Sequence, residues 1–328
     1  MIKVGIPRAL LYYQYYPMWK TFFEKLGAEI VVSPLTNKAI LNFGVSRAVA
    51  DTCLPVKILL GHVISLVEKC DCLFIPTVTS LGRKTYNCSK IIGLPNITRA
   101  LIPECPLILD PEVDIEKGRY NLYQNIYKLG RYFTSNPFKI KKAVEEAWKS
   151  NLAYRSEMSG EGITPIQAID KLCQENCEPD PDLNSSPLLR IAVTGHPYVL
   201  YDDYISHRLL SWLQRMGARV FTPEMVSQEA LCAAAERLVG VPHWAFEADI
   251  TGAGGYYLEE AKVDGVINVS VFACGPDSMM VSFVQHRARE LEIPFLPLSL
   301  DEHSTEGGLL TRLEAFLDMV KRREKICV

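Results

Sequence analysis

No apolar run in the sequence is long enough to span a bilayer. The most hydrophobic stretch, Ile58 to Val67, is broken by Gly61, His62 and Ser65, whereas a spanning helix needs about 20 apolar residues. Charge of one sign is equally scarce: 35 Lys and Arg face 38 Asp and Glu, a formal net charge of −3. That balance gives no basic footprint for nucleic acid or for an acidic membrane surface. Cysteine is sparse, ten in 328 residues, well below the ~8–10% of a disulfide-built scaffold. The opening from Met1 to Pro7 enters a strand-like segment with no cationic stretch or cleavage site. A cytoplasmic protein with reduced thiols is therefore expected. A Walker-type Gly-x4-Gly-Lys-[Ser/Thr] loop is also missing.

What the sequence does contain is a repeat. Gly5-Ile6-Pro7 and Leu26-Gly27-Ala28 return as Gly195-His196-Pro197 and Met216-Gly217-Ala218, at a constant offset of 190 residues. Each copy opens on a short apolar run, Lys3 to Ile6 and Leu189 to Val193. Apolar residues at helical spacing follow: Trp19, Phe22, Phe23 and Leu26, then Leu209, Leu210, Leu213 and Met216. Gly27 and Gly217 stand where a helix needs a left-handed residue to end. Further on, Asp71-Cys72-Leu73-Phe74-Ile75 matches Asp264-Gly265-Val266-Ile267. Continuous apolar strands alternating with helices indicate parallel sheets covered on both faces. The expected fold class is α/β: two similar Rossmann-like parallel-sheet domains, 1–112 and 188–328, joined by a helical connector and linker over 113–187.

Ligands in such sheets gather outside the carboxyl ends of the strands, and three cysteines fall there. Cys53 precedes the helical stretch that starts at Leu54-Pro55, with Asp51 or Thr52 as the expected N-cap. Cys88 lies in the loop after the strand 72–76. Cys274 lies between the strand 266–271 and the next helix, so Cys88 and Cys274 follow corresponding strands. A helix N-terminus favours the thiolate, a soft ligand suited to zinc and iron–sulfur clusters. Read from the residues alone, the three are either unrelated buried thiols or ligands of one centre assembled by the fold. Cys70 and Cys72 flank a strand entrance and read as buried. Cys173 and Cys177 at i, i+4 read as surface or packing thiols, and Cys105, Cys232 and Cys327 have no evident role. Arg8 and His196 flank the matched prolines and are candidate catalytic groups, with His196 suited to hydrogen-bond a substrate or donate a proton.

These same residues carry a resemblance. The stretches from Gly5 to Tyr13, Cys53-Leu54-Pro55-Val56-Lys57, Cys88-Ser89-Lys90, Gly195 to Asp202 and Cys274-Gly275-Pro276-Asp277 resemble the 2-hydroxyacyl-CoA dehydratase family, more closely its activase-related branch. The resemblance implies a [4Fe–4S] cluster held by Cys53, Cys88 and Cys274 between two domains, with the last iron position open or otherwise filled. It implies a separate actin-like ATPase activator that injects low-potential electrons one at a time. It also implies a small substrate, an acyl-CoA or another molecule, that is dehydrated by a lyase or reduced, and a homo- or hetero-oligomer. The alternative is a non-catalytic, cluster-bearing electron-relay or assembly subunit.

Overall fold

The structure, a computed structural model, describes residues 1–82, 84–173 and 189–326. The chain forms two compact units. One comprises Met1–Glu157, Ala168–Glu175 and His243–Ala245; the other comprises Met158–Gln167, Asn176–Pro242 and Phe246–Val328.

The strands of the first unit are β1 (Lys3–Ile6), β2 (Glu29–Val32), β3 (Cys72–Phe74), β4 (Thr77–Gly82), β5 (Thr85–Tyr86), β6 (Leu107–Leu109) and β7 (Glu112–Asp114). Those of the second are β8 (Leu189–Gly195), β9 (Ala218–Phe221), β10 (Gly265–Val271) and β11 (Phe295–Leu300). The first unit holds a parallel sheet in the order β2-β1-β3-β6, and the second a parallel sheet in the order β9-β8-β10-β11. Counted within each of these sheets, both orders are 2-1-3-4. The fold is thus α/β with Rossmann-like parallel sheets. Such an order reverses direction between the first and third strands, where the loops diverge and leave a crevice.

The repeat is visible atom by atom. In the first unit Asp71, just before β3, accepts a hydrogen bond from the Lys3 amide at 2.7 Å and donates its own amide to the Lys3 carbonyl. In the second, Asp264 does the same to Arg190, at 2.6 Å for the side-chain bond. Gly27 and Gly217 hold the same left-handed backbone, φ 90° and 87°, after the helices Tyr12–Leu26 and Leu209–Arg215. A side chain at either position would be strained, so glycine is what lets the chain turn back into the second strand.

Aromatic packing holds the first unit's core. The helix Tyr12–Leu26 buries Tyr12, Tyr16, Trp19, Phe23 and Leu26, spaced three or four apart so that they share one face. Trp19 and Phe23 meet Phe74 of β3 edge-on at 5.0 Å each, and Phe133 closes on Phe23 at 5.5 Å. The expected connector does not begin at 113, because Val113 and Asp114 belong to β7; beyond it the described part forms the helices Gly118–Arg131, Pro137–Glu161 and Pro165–Cys173. The Pro- and Asp-rich part of the expected linker, with Cys177, lies outside the described residues, as does Cys327.

A small sheet absent from the sequence reading completes the first unit. Its order is β5-β4-β7, with β4 antiparallel to β5 and parallel to β7. Ser80 and Asp114 hydrogen-bond at 2.8 Å in its buried interior. Tyr86 then bridges to Trp244, its amide donating to the His243 carbonyl at 2.8 Å.

Candidate functional site

Cys53, Cys88 and Cys274 occupy one kind of position: each is the residue immediately before a helix. Cys53 caps Leu54–Leu66 with φ −65° and ψ 150°, and Cys88 caps Ser89–Ile92 with φ −64° and ψ 153°. Cys274 caps Gly275–Glu290 with φ −89° and ψ 100°. The expected caps Asp51 and Thr52 are displaced by Cys53 itself, because Pro55 fits only the first helical turn. None of the three cysteines makes a side-chain capping bond, and none is in a disulfide. All are half-buried. A sulfur so placed stands where the unpaired amides of a helix start converge.

Cys53 and Cys88 belong to the first unit, and their loops are tied: the Lys90 ammonium donates to the Asp51 carbonyl at 3.2 Å. Cys88 is positioned by the small sheet, since β5 ends at Tyr86 and the buried Asn87 donates to the Val78 carbonyl at 3.0 Å. One turn into the helix behind Cys53 lies Lys57, a buried lysine.

Cys274 belongs to the second unit and leaves the carboxyl end of β10. Ala273, directly before it, adopts φ 65°, a backbone conformation costly for any residue with a side chain. His196 leaves the carboxyl end of the adjacent strand β8, so both flank the crevice between first and third strands. His196 Nε2 lies 2.9 Å from Asp277 Oδ1, in the first turn of the helix that Cys274 caps. His196 and Asp277 are 1% and 4% exposed. Ligand atoms of His196, Cys274 and Asp277 all lie within 4.8 Å of one another. Tyr198 stacks on the imidazole at 4.6 Å and Phe246 meets it edge-on at 6.3 Å, fixing the plane of the ring. Asp277 was absent from the expected site residues; three positions after a capping cysteine, it reads in sequence as an ordinary helix-start acid.

Arg8 follows β1 and turns along the first unit. Its amide donates to Ser33 Oγ at 2.8 Å, and its guanidinium lies 5.1 Å from the Tyr12 ring centre. Its charge adds to burial in pushing His62 down to about 3, so His62 is neutral and shares a 3.0 Å hydrogen bond with Thr36 Oγ1.

The remaining thiols separate from these. Burial raises Cys70 to about 11 and Cys72 to about 12, and shifts Cys105 upward. Cys232 is exposed. Among the described residues no helix is long and apolar enough to cross a membrane.

Residues 3–226 match the family model described as CoA enzyme activase uncharacterised domain (DUF2229). The chain belongs to this family. The matched span runs through the first unit's parallel sheet to β9 and includes Arg8, Cys53, Cys88 and His196; Cys274 and Asp277 follow it. No curated protein matches this activase-domain chain.

Proposed function

We propose that this activase-family protein is an iron–sulfur redox protein in which Cys53, Cys88 and Cys274 hold a [4Fe–4S] cluster. The observation that carries the reading is the shared station of the three cysteines, each the residue immediately before a helix. The donor set fits the group: thiolates are the ligands of such clusters, and helix-start amides are the donors that stabilise their charge. When bound, the cluster supplies one-electron chemistry at low potential and, at an iron without a cysteine, a Lewis-acid position. Electrons come from an ATP-dependent, actin-like activator, and the acceptor is a small molecule, an acyl-CoA among the candidates, that is dehydrated or reduced.

The chain's own residues do the rest. Asp277 holds the Nε2 edge of His196, and the Tyr198 stack keeps the ring from rotating, so the imidazole presents one fixed orientation for hydrogen bonding or proton donation. Arg8, anchored at Ser33 and flat against Tyr12, offers a fixed cation for an anionic group of the substrate.

The family description as an activase favours a second reading, in which the chain relays electrons to a partner enzyme and turns over no substrate itself.

Anaerobic purification from cluster-competent cells, with iron and acid-labile sulfide assays, tests the first reading. About four of each per chain are expected, and Cys53→Ser, Cys88→Ser and Cys274→Ser should each lose most of both. Colourless, iron-free wild-type protein would refute it. Adding acyl-CoA to the reduced protein separates catalyst from relay, since only a catalyst's paramagnetic resonance spectrum should change.

A further inference from the structure

Of the three cysteines, only Cys274 has an acid in the first turn of the helix it caps. The helices behind Cys53 and Cys88 carry none, and the former buries Lys57 instead. We propose that Asp277 is the group that holds iron bound at Cys274 to a low reduction potential. The inference rests on the cluster reading and names the residue that tunes it.

Three observations support it. Asp277 reaches within 4.8 Å of both the thiol and the imidazole, a range at which a buried charge is felt with little screening. The carboxylate is also only half satisfied: Oδ1 meets His196, while Oδ2 is buried with no hydrogen-bond partner among the described residues. A buried oxygen left so in a well-packed fold calls for a functional reason, and an unquenched negative field is one. Finally, the acid offsets a specific opposing effect. The amides at the start of Gly275–Glu290 favour added negative charge at Cys274, which raises a potential. Asp277 lies in that same first turn and cancels them. His196 Nε2, 2.9 Å from the near oxygen, leaves the far one untouched.

The one-electron step at issue takes the cubane from its 2+ to its 1+ state, with the electron supplied by titanium(III) citrate in the test. Potentials are read by resonance-monitored titration of the cluster-loaded full chain. Asp277→Asn removes the charge and keeps the size; it should ease reduction about tenfold, a positive shift of 59 mV for one electron. Asp277→Glu should return close to the wild-type value, and Asp277→Ser gives a second neutral form should Asn fail to load. A loaded neutral variant with unmoved potential would overturn the proposal while the cluster reading stands. Failure of both neutral forms to take up iron would also overturn it, making Asp277 a structural requirement. A wild-type chain without iron and sulfide would instead remove the cluster reading and this inference together.

Discussion

Gly44 and Gly61 lie against each other's helices, backbone on backbone. A Cβ built on Gly44 would fall 1.7 Å from the Lys57 carbonyl oxygen, and one on Gly61 would fall 1.9 Å from that of Ile40. The helices Lys38–Arg47 and Leu54–Leu66 therefore touch at a distance that only hydrogen at the Cα permits, and Leu54–Leu66 is the helix that Cys53 caps.

Gly44→Ala or Gly61→Ala should force these helices apart. A loss of about 3 kcal/mol is expected, read as a lower urea midpoint. On the proposed cluster reading, iron loading should fall as well, since Cys53 moves with its helix. An unchanged midpoint in both variants would show that the contact yields without cost.

Thiol reactivity should sort the cysteines by burial. At pH 8 a thiol at about 11 or 12, as burial sets Cys70 and Cys72, offers at least roughly a hundredfold less thiolate than an ordinary one. Brief iodoacetamide treatment with peptide mapping should find the exposed Cys232 labelled first and these two last. Equal labelling of Cys70 and Cys232 would contradict the buried environment.

His62 should make the fold acid-sensitive. Burial, aided by Arg8, lowers its pKa to about 3 from 6.5. The folded state therefore takes up the proton less readily than the unfolded one. The stabilisation is complete above about 6.5 and is lost as pH falls toward 3, at up to about 1.4 kcal/mol per pH unit. His62→Gln keeps a partner for Thr36 Oγ1 and should flatten this slope in urea titrations run across that window.

Glu224 should act in the opposite sense. Burial raises it from 4.5 to about 7, against the pull of the Tyr201 hydroxyl, which donates to it at 2.5 Å. Its contribution is full below about 4.5 and is lost as pH rises through about 7, a change of roughly 1–2 kcal/mol after allowance for partial exposure. Between about 4.5 and 6.5 the two slopes oppose each other, so wild-type protein should show a muted dependence there. Glu224→Gln should unmask the His62 slope; a curve identical to wild type would exclude the raised carboxyl.

The parts of the fold that were legible in the sequence are those written twice. Gly27 with Gly217, and Asp71 with Asp264, each perform one physical task in both units, and a task repeated in the same order stands out from background. Helix starts were legible for a similar reason, because a proline after a cysteine leaves the chain few alternatives at residues 53 and 274. The β5-β4-β7 sheet was not. Its strands are two to six residues long, and the contact that extends it joins Tyr86 to Trp244, too far apart for any local pattern to register. Asp277 was hidden differently: its residue type was plain, but its meaning depends on His196 arriving from another strand.

The bond from the Tyr86 amide to the His243 carbonyl draws a late stretch of chain into the first unit. A fragment cut anywhere before residue 243 therefore lacks a piece of that unit and strips β5 of its outer neighbour, so the amino-terminal portion is not a self-contained folding piece.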